Sequence, residues 1–157
     1  ALAREAQFDT IYHEHLTYFT EATLRSLVER QGFRFVECAR TPMHGGALRF
    51  VCRFHPEGGE LEPSTVELID GDRFRTTIAQ CGDKLAQLQR EHGTLYGYGA
   101  AGRSQMFINM TGAMNRFAKV FDDSPFRQGR YIVGTDVVIS PYEGDTGSCC
   151  VVLAWNY

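Results

Sequence analysis

Apolar and polar positions in the first third of the chain predict one helix followed by a β-hairpin. After Thr20, a typical N-cap, apolar residues recur at helical spacing until Gly32, a typical helix stop. Residues 33–38 then alternate between apolar and polar positions, and residues 47–54 are a second, largely apolar strand candidate. The turn between them contains proline and glycine, so the two strands are predicted to be antiparallel neighbours.

The middle of the chain predicts one long helix. Apolar positions from Phe74 to Leu88 alternate in steps of four and three, which gives a single helical stripe. Ser64 is a suitable N-cap with Glu67 as its capping-box partner, and Gly93 is the stop. The polar segment before this helix indicates a domain boundary.

From residue 94 onward, short apolar runs alternate with helical stretches. The first run ends in a glycine-rich turn that leads into a helix, and further strands are predicted at 117–121, 137–139 and 149–155. The last run is continuously apolar, as expected for a parallel strand buried on both faces. Only one further helix fits between residues 123 and 148. This alternation predicts a small, doubly wound, Rossmann-like α/β sheet.

The composition is that of an ordinary globular domain. The 157 residues are 43% hydrophobic and 22% charged, and the net charge of −3 gives no support for binding nucleic acid or a membrane. No apolar run approaches the roughly 18 residues of a membrane span, and no signal peptide is evident. The five cysteines show no C-x-x-C spacing, so we interpret them as reduced thiols of a cytoplasmic protein. The missing initial Met indicates a piece of a longer chain.

The glycine-rich turn is the first candidate for function. Gly97, Gly99 and Gly102 fit the spacing G-x-G-x-x-G, and the helix after them directs its free N–H groups at the turn, which suits a phosphate. Asp122 follows about 20 residues later, where a dinucleotide fold places its ribose-binding acid. The spacing alone therefore predicts a nucleotide-binding unit, with a purely structural turn as the competing interpretation.

Basic residues near this turn would add charge for a phosphate. Arg103 lies just inside the helix, and Arg127 and Arg130 lie on a later loop. The competing interpretation is a solvated loop face.

The second candidate is Tyr12-His13-Glu14-His15, the most concentrated group of titratable side chains. Histidine suits general base catalysis near neutral pH, a neighbouring carboxylate can orient it, and a tyrosine can stabilise an oxyanion. The alternatives are a hydrogen-bonded entry to the next helix and a metal site, since H-x-H with Glu14 offers ligands. His44, between the two hairpin strands, is either a ligand-facing residue or part of a plain turn.

Several stretches occur in the order found in one family. They are FDTIYHEHLTYF at 8–19, HGGALR at 44–49, GYGAA at 97–101, DSPFRQGRY at 123–131 with GT at 134–135, and LAWNY at 153–157. Together they resemble the S-adenosylmethionine-dependent C-methyltransferases that act on nucleotide-linked deoxysugars. The resemblance implies three parts: the tail of a methyltransferase domain at 1–55, a linker and long helix at 56–93, and a Rossmann-like substrate-binding unit at 94–157.

The resemblance also implies roles for individual residues. His15 would remove a proton from the sugar carbon next to a ketone, assisted by Tyr12 and Glu14, before a methyl group is transferred to that carbon. The nucleotide diphosphate of the sugar, and not NAD, would be held by His44, Tyr98, Gly99, Ala100, Ala101, Gly102, Arg103, Ser104, Asp122 and Arg130. S-adenosylmethionine would be bound mainly by N-terminal parts that are not in this chain, and zinc would be bound only there. The chain alone should therefore be inactive. No residue pattern specifies an oligomeric state.

One departure from the family lies in the glycine turn. The family usually continues this turn as Ala-Ala-Lys-Gly, whereas residues 100–103 read Ala-Ala-Gly-Arg, so Arg103 takes the place of the lysine one position later. The first alternative function is an NAD-binding Rossmann domain of an oxidoreductase, which would explain Asp122 but not the cluster around His15. The second is a binding module that has lost the chemistry.

Overall fold

The computed structural model describes residues 2–56, 69–144 and 148–155. Within them the helices are α1 (Leu2–Glu5), α2 (Glu21–Arg30), α3 (Gly71–His92) and α4 (Gly102–Met110). The strands are β1 (Phe33–Thr41), β2 (Ala47–Phe54), β3 (Leu95–Tyr98), β4 (Phe117–Phe121), β5 (Val138–Ser140) and β6 (Cys149–Val152). Short 3₁₀ turns lie at Phe8–Thr10 and Met43–Gly45. None of the helices in these three ranges is both long and apolar enough to cross a lipid bilayer.

The predicted N-terminal helix and hairpin are confirmed. The Thr20 hydroxyl accepts the N–H of Thr23, and the Thr23 hydroxyl accepts the N–H of Thr20, which is a reciprocal cap with threonine in place of the usual glutamate. Gly32 follows α2 at φ +77°, a conformation that glycine adopts without steric cost. β1 and β2 pair antiparallel with one bulge in β1, and β1 continues to Thr41, beyond its predicted end at residue 38.

The second half of the chain forms a parallel sheet with strand order β5-β4-β3-β6. β3 pairs with β4 and β6, and β4 pairs with β5, all in parallel. The strands share an apolar core with α3 and α4, which includes the buried residues Leu85, Leu95, Ile108, Val120, Ile132 and Ile139. The predicted Rossmann-like α/β fold is therefore confirmed, and β3 delivers the chain to the glycine turn from an inner position of the sheet.

Two details of this sheet differ from the prediction. β6 is an edge strand that ends at Val152, and the side chains of Cys150 and Val152 are exposed, so the expectation of a strand buried on both faces is wrong. An apolar run specifies a strand but not its place in the sheet, because that place depends on partners distant in sequence. Between residues 123 and 144 the chain forms turns and β5, and the further helix that this interval could hold is absent there.

The long helix begins at Gly71, inside its predicted range. Asp70 is its N-cap, because the carboxylate accepts two backbone N–H groups of the first turn. The predicted cap at Ser64 and its partner Glu67 lie outside the described residues. Gly93 ends the helix at φ +76°, as predicted.

The N-terminal residues pack on the helices of the parallel-sheet unit. Phe8 stacks on Phe107 of α4 with the ring centroids 5.9 Å apart. Ala6 and Phe8 also share an apolar cluster with Phe74 of α3. The division into 1–55, 56–93 and 94–157 stays a prediction, but these contacts attach the start of the first part to the last part.

Candidate functional site

The glycine turn joins β3 to α4, and neighbouring atoms lie close to its glycines. Gly99 has φ +95°, and a Cβ there would lie 2.4 Å from the Cβ of Ala154. A Cβ on Gly97 would lie 2.7 Å from the Leu153 side chain. The Leu153 N–H donates to the Tyr98 carbonyl over 2.8 Å, which holds the segment after β6 against the turn. Packing and the positive φ therefore favour glycine at position 99, whereas a side chain at position 97 would require Leu153 to move.

The first turn of α4 faces the segment that carries the titratable cluster. The Tyr12 ring covers Gly102 so closely that a Cβ on this glycine would lie 2.9 Å from the ring carbon Cε2. Ala101 is the N-cap and offers no side-chain hydrogen bond to the first N–H groups of the helix. The structure thus brings together the two candidates that the sequence showed far apart.

His15 is oriented by one hydrogen bond that fixes its tautomer. Its Nδ1 lies 2.8 Å from the carbonyl oxygen of Thr10. A carbonyl oxygen can only accept, so Nδ1 carries the hydrogen, and in the neutral ring Nε2 holds the lone pair. The His15 side chain is exposed, and its ring centroid is 4.3 Å from that of Tyr12. Neutral His15 therefore has the tautomer that a general base acting at Nε2 requires.

Neighbouring side chains complete this cluster. The Tyr18 hydroxyl also donates to the Thr10 carbonyl over 2.8 Å, and burial raises the pKa of Tyr18. Glu14 is exposed, and among the described residues no hydrogen bond joins it to His15, so its assisting role stays a prediction. Among all residues that the structure describes, no three His, Cys, Asp or Glu side chains lie close enough together to hold a metal ion.

Asp122, the predicted ribose-binding acid, is buried at the end of β4 among hydrogen-bond donors. It accepts from the N–H groups of Ala100 at 2.7 Å and Ser124 at 2.8 Å, and from Arg127 at 3.2 Å. Burial by itself raises the pKa of the Asp122 carboxyl, but these hydrogen bonds and the Arg127 charge outweigh it, so the pKa lies below its usual value. The bond from buried Ala100 ties the glycine turn to β4. Ribose binding by Asp122 stays a prediction beside this structural role.

Arg103 is buried, and its guanidinium binds partners within the protein. Nε and Nη2 donate to the two carboxylate oxygens of Asp9 over 2.8 and 3.0 Å, and Nη1 donates to the His44 carbonyl over 3.1 Å. The Trp155 ring centroid lies 4.7 Å from the guanidinium carbon, and the indole N–H donates to Asp9 over 3.3 Å. Sequence reasoning missed both Asp9 and Trp155. Contact of Arg103 with a phosphate stays a prediction, and in this structure Asp9 already matches its charge.

The other predicted residues lie at different depths around this centre. The exposed His44 is left-handed at φ 52°, and next to it a Cβ on Gly45 would lie 2.6 Å from the Trp155 ring. Ser104 is buried, and its hydroxyl has no hydrogen-bond partner among the described residues. Arg130 is exposed on the loop after β4. The hairpin turn therefore reaches the glycine-turn unit through backbone and aromatic contacts.

Tyr98 ends β3 in an aromatic group at the carboxyl edge of the sheet. Its hydroxyl donates to the Asp123 carboxylate over 2.5 Å, and Tyr142 lies edge-on to it with ring centroids 6.0 Å apart. The hydrogen bond to Asp123, followed by burial, raises the pKa of Tyr98. Tyr98 is half-buried, so part of it is open to solvent beside the glycine turn.

Comparison with known proteins adds two findings. The family model of the C-methyltransferase C-terminal domain matches residues 42–157. The C-methyltransferase NovU of Streptomyces niveus is 26% identical over 176 aligned positions, which cover 99% of this chain and 42% of NovU. The chain therefore spans less than half of the length of this curated relative. The family match begins after the Tyr12–His15 segment, whereas the similarity to NovU extends over it.

Proposed function

Since the chain belongs to the C-methyltransferase C-terminal domain family, we propose that it is the substrate-binding part of a C-methyltransferase for a nucleotide-linked 4-keto-deoxysugar. The observation that carries the proposal is the contact of Tyr12 with the first turn of α4 at Gly102. This contact supports the proposal because Tyr12, whose ring centroid is 4.3 Å from that of the candidate base His15, lies against the helix turn that is the candidate phosphate site. A nucleotide-linked sugar would have to contact the base with its sugar and the phosphate site with its diphosphate at the same time.

His15 is the proposed base. Its Nε2 takes the proton from the sugar carbon next to the ketone, and the electron pair of that C–H bond moves to give the enolate. The enolate carbon is then the nucleophile for the methyl group. Tyr12 and Glu14 are proposed to assist through hydrogen bonds to the sugar and the enolate oxygen. The hydrogen bond from Nδ1 to the Thr10 carbonyl supports this role, because it leaves Nε2 to accept the proton.

The first turn of α4 is proposed to hold the diphosphate. Helix N-termini attract anions through free N–H groups and the positive end of the helix dipole. The N-cap, Ala101, contributes no side-chain acceptor that would compete for these groups. Exposed Arg130 would add positive charge, while His44 and Tyr98 are proposed to contact the nucleotide.

S-adenosylmethionine is the methyl donor that the resemblance implies, and it supplies the methyl group. Asp122, the acid in position to bind a ribose, already accepts from Ala100, Ser124 and Arg127. We therefore assign no residue of this chain to the donor, and we propose that the chain alone transfers no methyl group.

Calorimetric titration tests the substrate class. Two ligands, a thymidine diphosphate sugar and NAD, are each titrated into the chain and into the variant Gly102→Ala. The new Cβ of this variant would displace the Tyr12 ring. We expect the sugar nucleotide to bind, NAD not to bind, and the variant to bind the sugar nucleotide more weakly. Binding of NAD alone would contradict the proposal and would identify the glycine turn as a dinucleotide-binding turn.

Solvent exchange tests the base without a methyl donor. In deuterated water, the proton next to the ketone should be replaced by deuterium, which mass spectrometry of the sugar nucleotide detects. His15→Ala should slow this exchange by about 10²–10⁴-fold with little change in binding, since general base catalysis contributes about that much. His92→Ala, which removes a half-exposed histidine at the end of α3, is the matched control. Equal exchange rates in the two variants would exclude His15 as the base.

An NAD-binding domain of an oxidoreductase is the second candidate. The spacing of Gly97, Gly99 and Gly102 with Asp122 favours it. The internal partners of Asp122 weigh against it, because ribose binding needs free carboxylate oxygens. The titration with NAD distinguishes the two candidates.

A further inference from the structure

We propose that Arg103 is a positioning residue, whose buried ion pair with Asp9 holds the segment carrying Tyr12 and His15 against the first turn of α4. The inference rests on the proposed function only for the roles of Tyr12 and His15. It replaces the expectation that Arg103 itself binds a phosphate.

The ion pair has a fixed geometry. Nε of Arg103 donates to Oδ2 of Asp9 over 2.8 Å, and Nη2 donates to Oδ1 over 3.0 Å. The two side chains are only 9% and 11% exposed. Two parallel hydrogen bonds set the orientation of the partners as well as their distance, and a lysine could not reproduce them.

The position of Arg103 on the helix favours a carboxylate partner. Arg103 lies in the first turn of α4, where free N–H groups make the helix end positive and disfavour a second positive charge. Asp9 offsets both charges. A phosphate bound by this guanidinium would lie beside a buried, negatively charged Asp9, and like charges at such a distance repel strongly. The site therefore favours a permanent internal pair.

Asp9 is joined to the candidate base through a single neighbouring residue. It lies in the 3₁₀ turn Phe8–Thr10, and the Thr10 carbonyl accepts both His15 Nδ1 and the Tyr18 hydroxyl over 2.8 Å each. When the carboxylate of Asp9 is fixed, the short turn and the direction of the Thr10 carbonyl are fixed with it. The orientation and tautomer of His15 depend on that carbonyl.

Two further segments close around the same guanidinium. The remaining terminal nitrogen, Nη1, donates to the His44 carbonyl over 3.1 Å. Trp155 packs its ring over the guanidinium and donates its N–H to Asp9. Trp155 is the single tryptophan of the sequence, so tryptophan fluorescence reports on this cluster alone.

The test compares the full 157-residue chain with two site variants and a matched control. Asp9→Asn keeps the shape of the side chain and removes its charge, whereas Arg103→Lys keeps the charge and removes the paired hydrogen bonds. Arg25→Lys is the control, because Arg25 pairs with Glu29 over 3.0 Å within α2. Thermal melts and Trp155 fluorescence confirm that each variant is folded.

Three measurements separate positioning from phosphate binding. Nitrogen chemical shifts of His15 at about pH 9, where histidine is ordinarily neutral, report the tautomer. We expect both site variants to lose the single Nδ1–H form and the control to keep it. Affinity for thymidine diphosphate should change by less than about 3-fold, while solvent exchange at saturating substrate should slow by about 10-fold or more, as misplacement of a catalytic group does.

Each outcome of these measurements supports or overturns the positioning role of Arg103. An unchanged His15 tautomer in Asp9→Asn would overturn the proposal. A loss of thymidine diphosphate affinity of about 10-fold or more in Arg103→Lys, with the tautomer unchanged, would identify a phosphate ligand instead. If the wild-type chain neither binds thymidine diphosphate nor promotes exchange, the proposed function fails, and the tautomer still decides whether Asp9 positions His15. Should Asp9→Asn not fold, Arg103→Lys removes the same paired hydrogen bonds, and an unchanged His15 tautomer in that variant would overturn the proposal.

Discussion

Replacing Gly99 with alanine measures how strongly packing fixes the glycine turn. The new Cβ would lie 2.4 Å from the Cβ of Ala154 and 3.1 Å from its backbone nitrogen, both shorter than ordinary contacts. Gly99 has φ +95°, and a Cβ in the left-handed region costs about 1–2 kcal/mol. Overpacking of this kind adds about 1–3 kcal/mol. We expect the free energy of unfolding to fall by about 2–5 kcal/mol, the sum of these two terms.

Thermal and urea unfolding followed by circular dichroism measure this loss. For a chain of this size each kcal/mol lowers Tm by about 2–4 °C, so Gly99→Ala should lower it by about 4–20 °C. Gly93→Ala is the matched control. Gly93 has φ +76°, but no heavy atom lies within 4 Å of the added Cβ, so this variant carries the backbone cost without the overlap.

The comparison isolates the contact with Ala154. Gly99→Ala should lose about 1–3 kcal/mol more than Gly93→Ala, because only the former overlaps another atom. Adding Ala154→Gly to Gly99→Ala removes the Cβ–Cβ overlap and should recover part of that difference. Equal losses at the two glycines would refute the argument that the segment after β6 shapes the turn.

Three further outcomes follow from the structure. The lowered pKa of Asp122 means that its stabilising effect is complete above the usual pKa of 3.8 and is lost as pH falls through the lower value of the folded state. Asp122→Asn should therefore lower the free energy of unfolding at neutral pH and make it fall less steeply as the pH becomes acidic. Urea unfolding at several pH values measures this, and a fall as steep as that of the unchanged chain would contradict it. Tyr98 should ionise above the ordinary tyrosine range in an ultraviolet pH titration, and Asp123→Asn should bring it back, because the Asp123 bond is the largest cause of the shift. If the variant leaves the titration unchanged, that bond is not the cause. Leu95→Ala should cost about 2–5 kcal/mol, since Leu95 is fully buried, whereas Leu16→Ala, at a 90% exposed position, should cost little in the same urea measurement.

Local signals predicted those elements whose boundaries are set locally. The β2 range follows from a largely apolar run between two turns, and Thr20, Gly32 and Gly93 mark helix ends through properties of single residues. The position of β6 at the sheet edge was not predictable in this way, because strand order depends on partners distant in sequence. Likewise, the spacing of Asp122 indicated its place at the end of β4, but not its bonds to the glycine turn.

The site shows the same division between local and distant information. Tyr12, His15 and the glycine turn were each recognisable from the sequence, but nothing local showed that the Tyr12 ring covers Gly102. Asp9 lies beside the titratable cluster in sequence, but one aspartate in an apolar stretch forms no motif. A weak signal existed at Arg103: an arginine in the first turn of a helix is disfavoured by the dipole, and an acid partner offsets this.

The order of Gly102 and Arg103 couples the two contacts. Gly102 leaves room for the Tyr12 ring, since any Cβ there would lie 2.9 Å from it. The next residue, Arg103, binds Asp9 of the same N-terminal segment. The order Lys-Gly, which the resembling family usually has here, would put a side chain under Tyr12 and leave Asp9 buried without a cation. On the positioning role proposed for Arg103, Gly102 and Arg103 together therefore hold one N-terminal segment against α4 at two points.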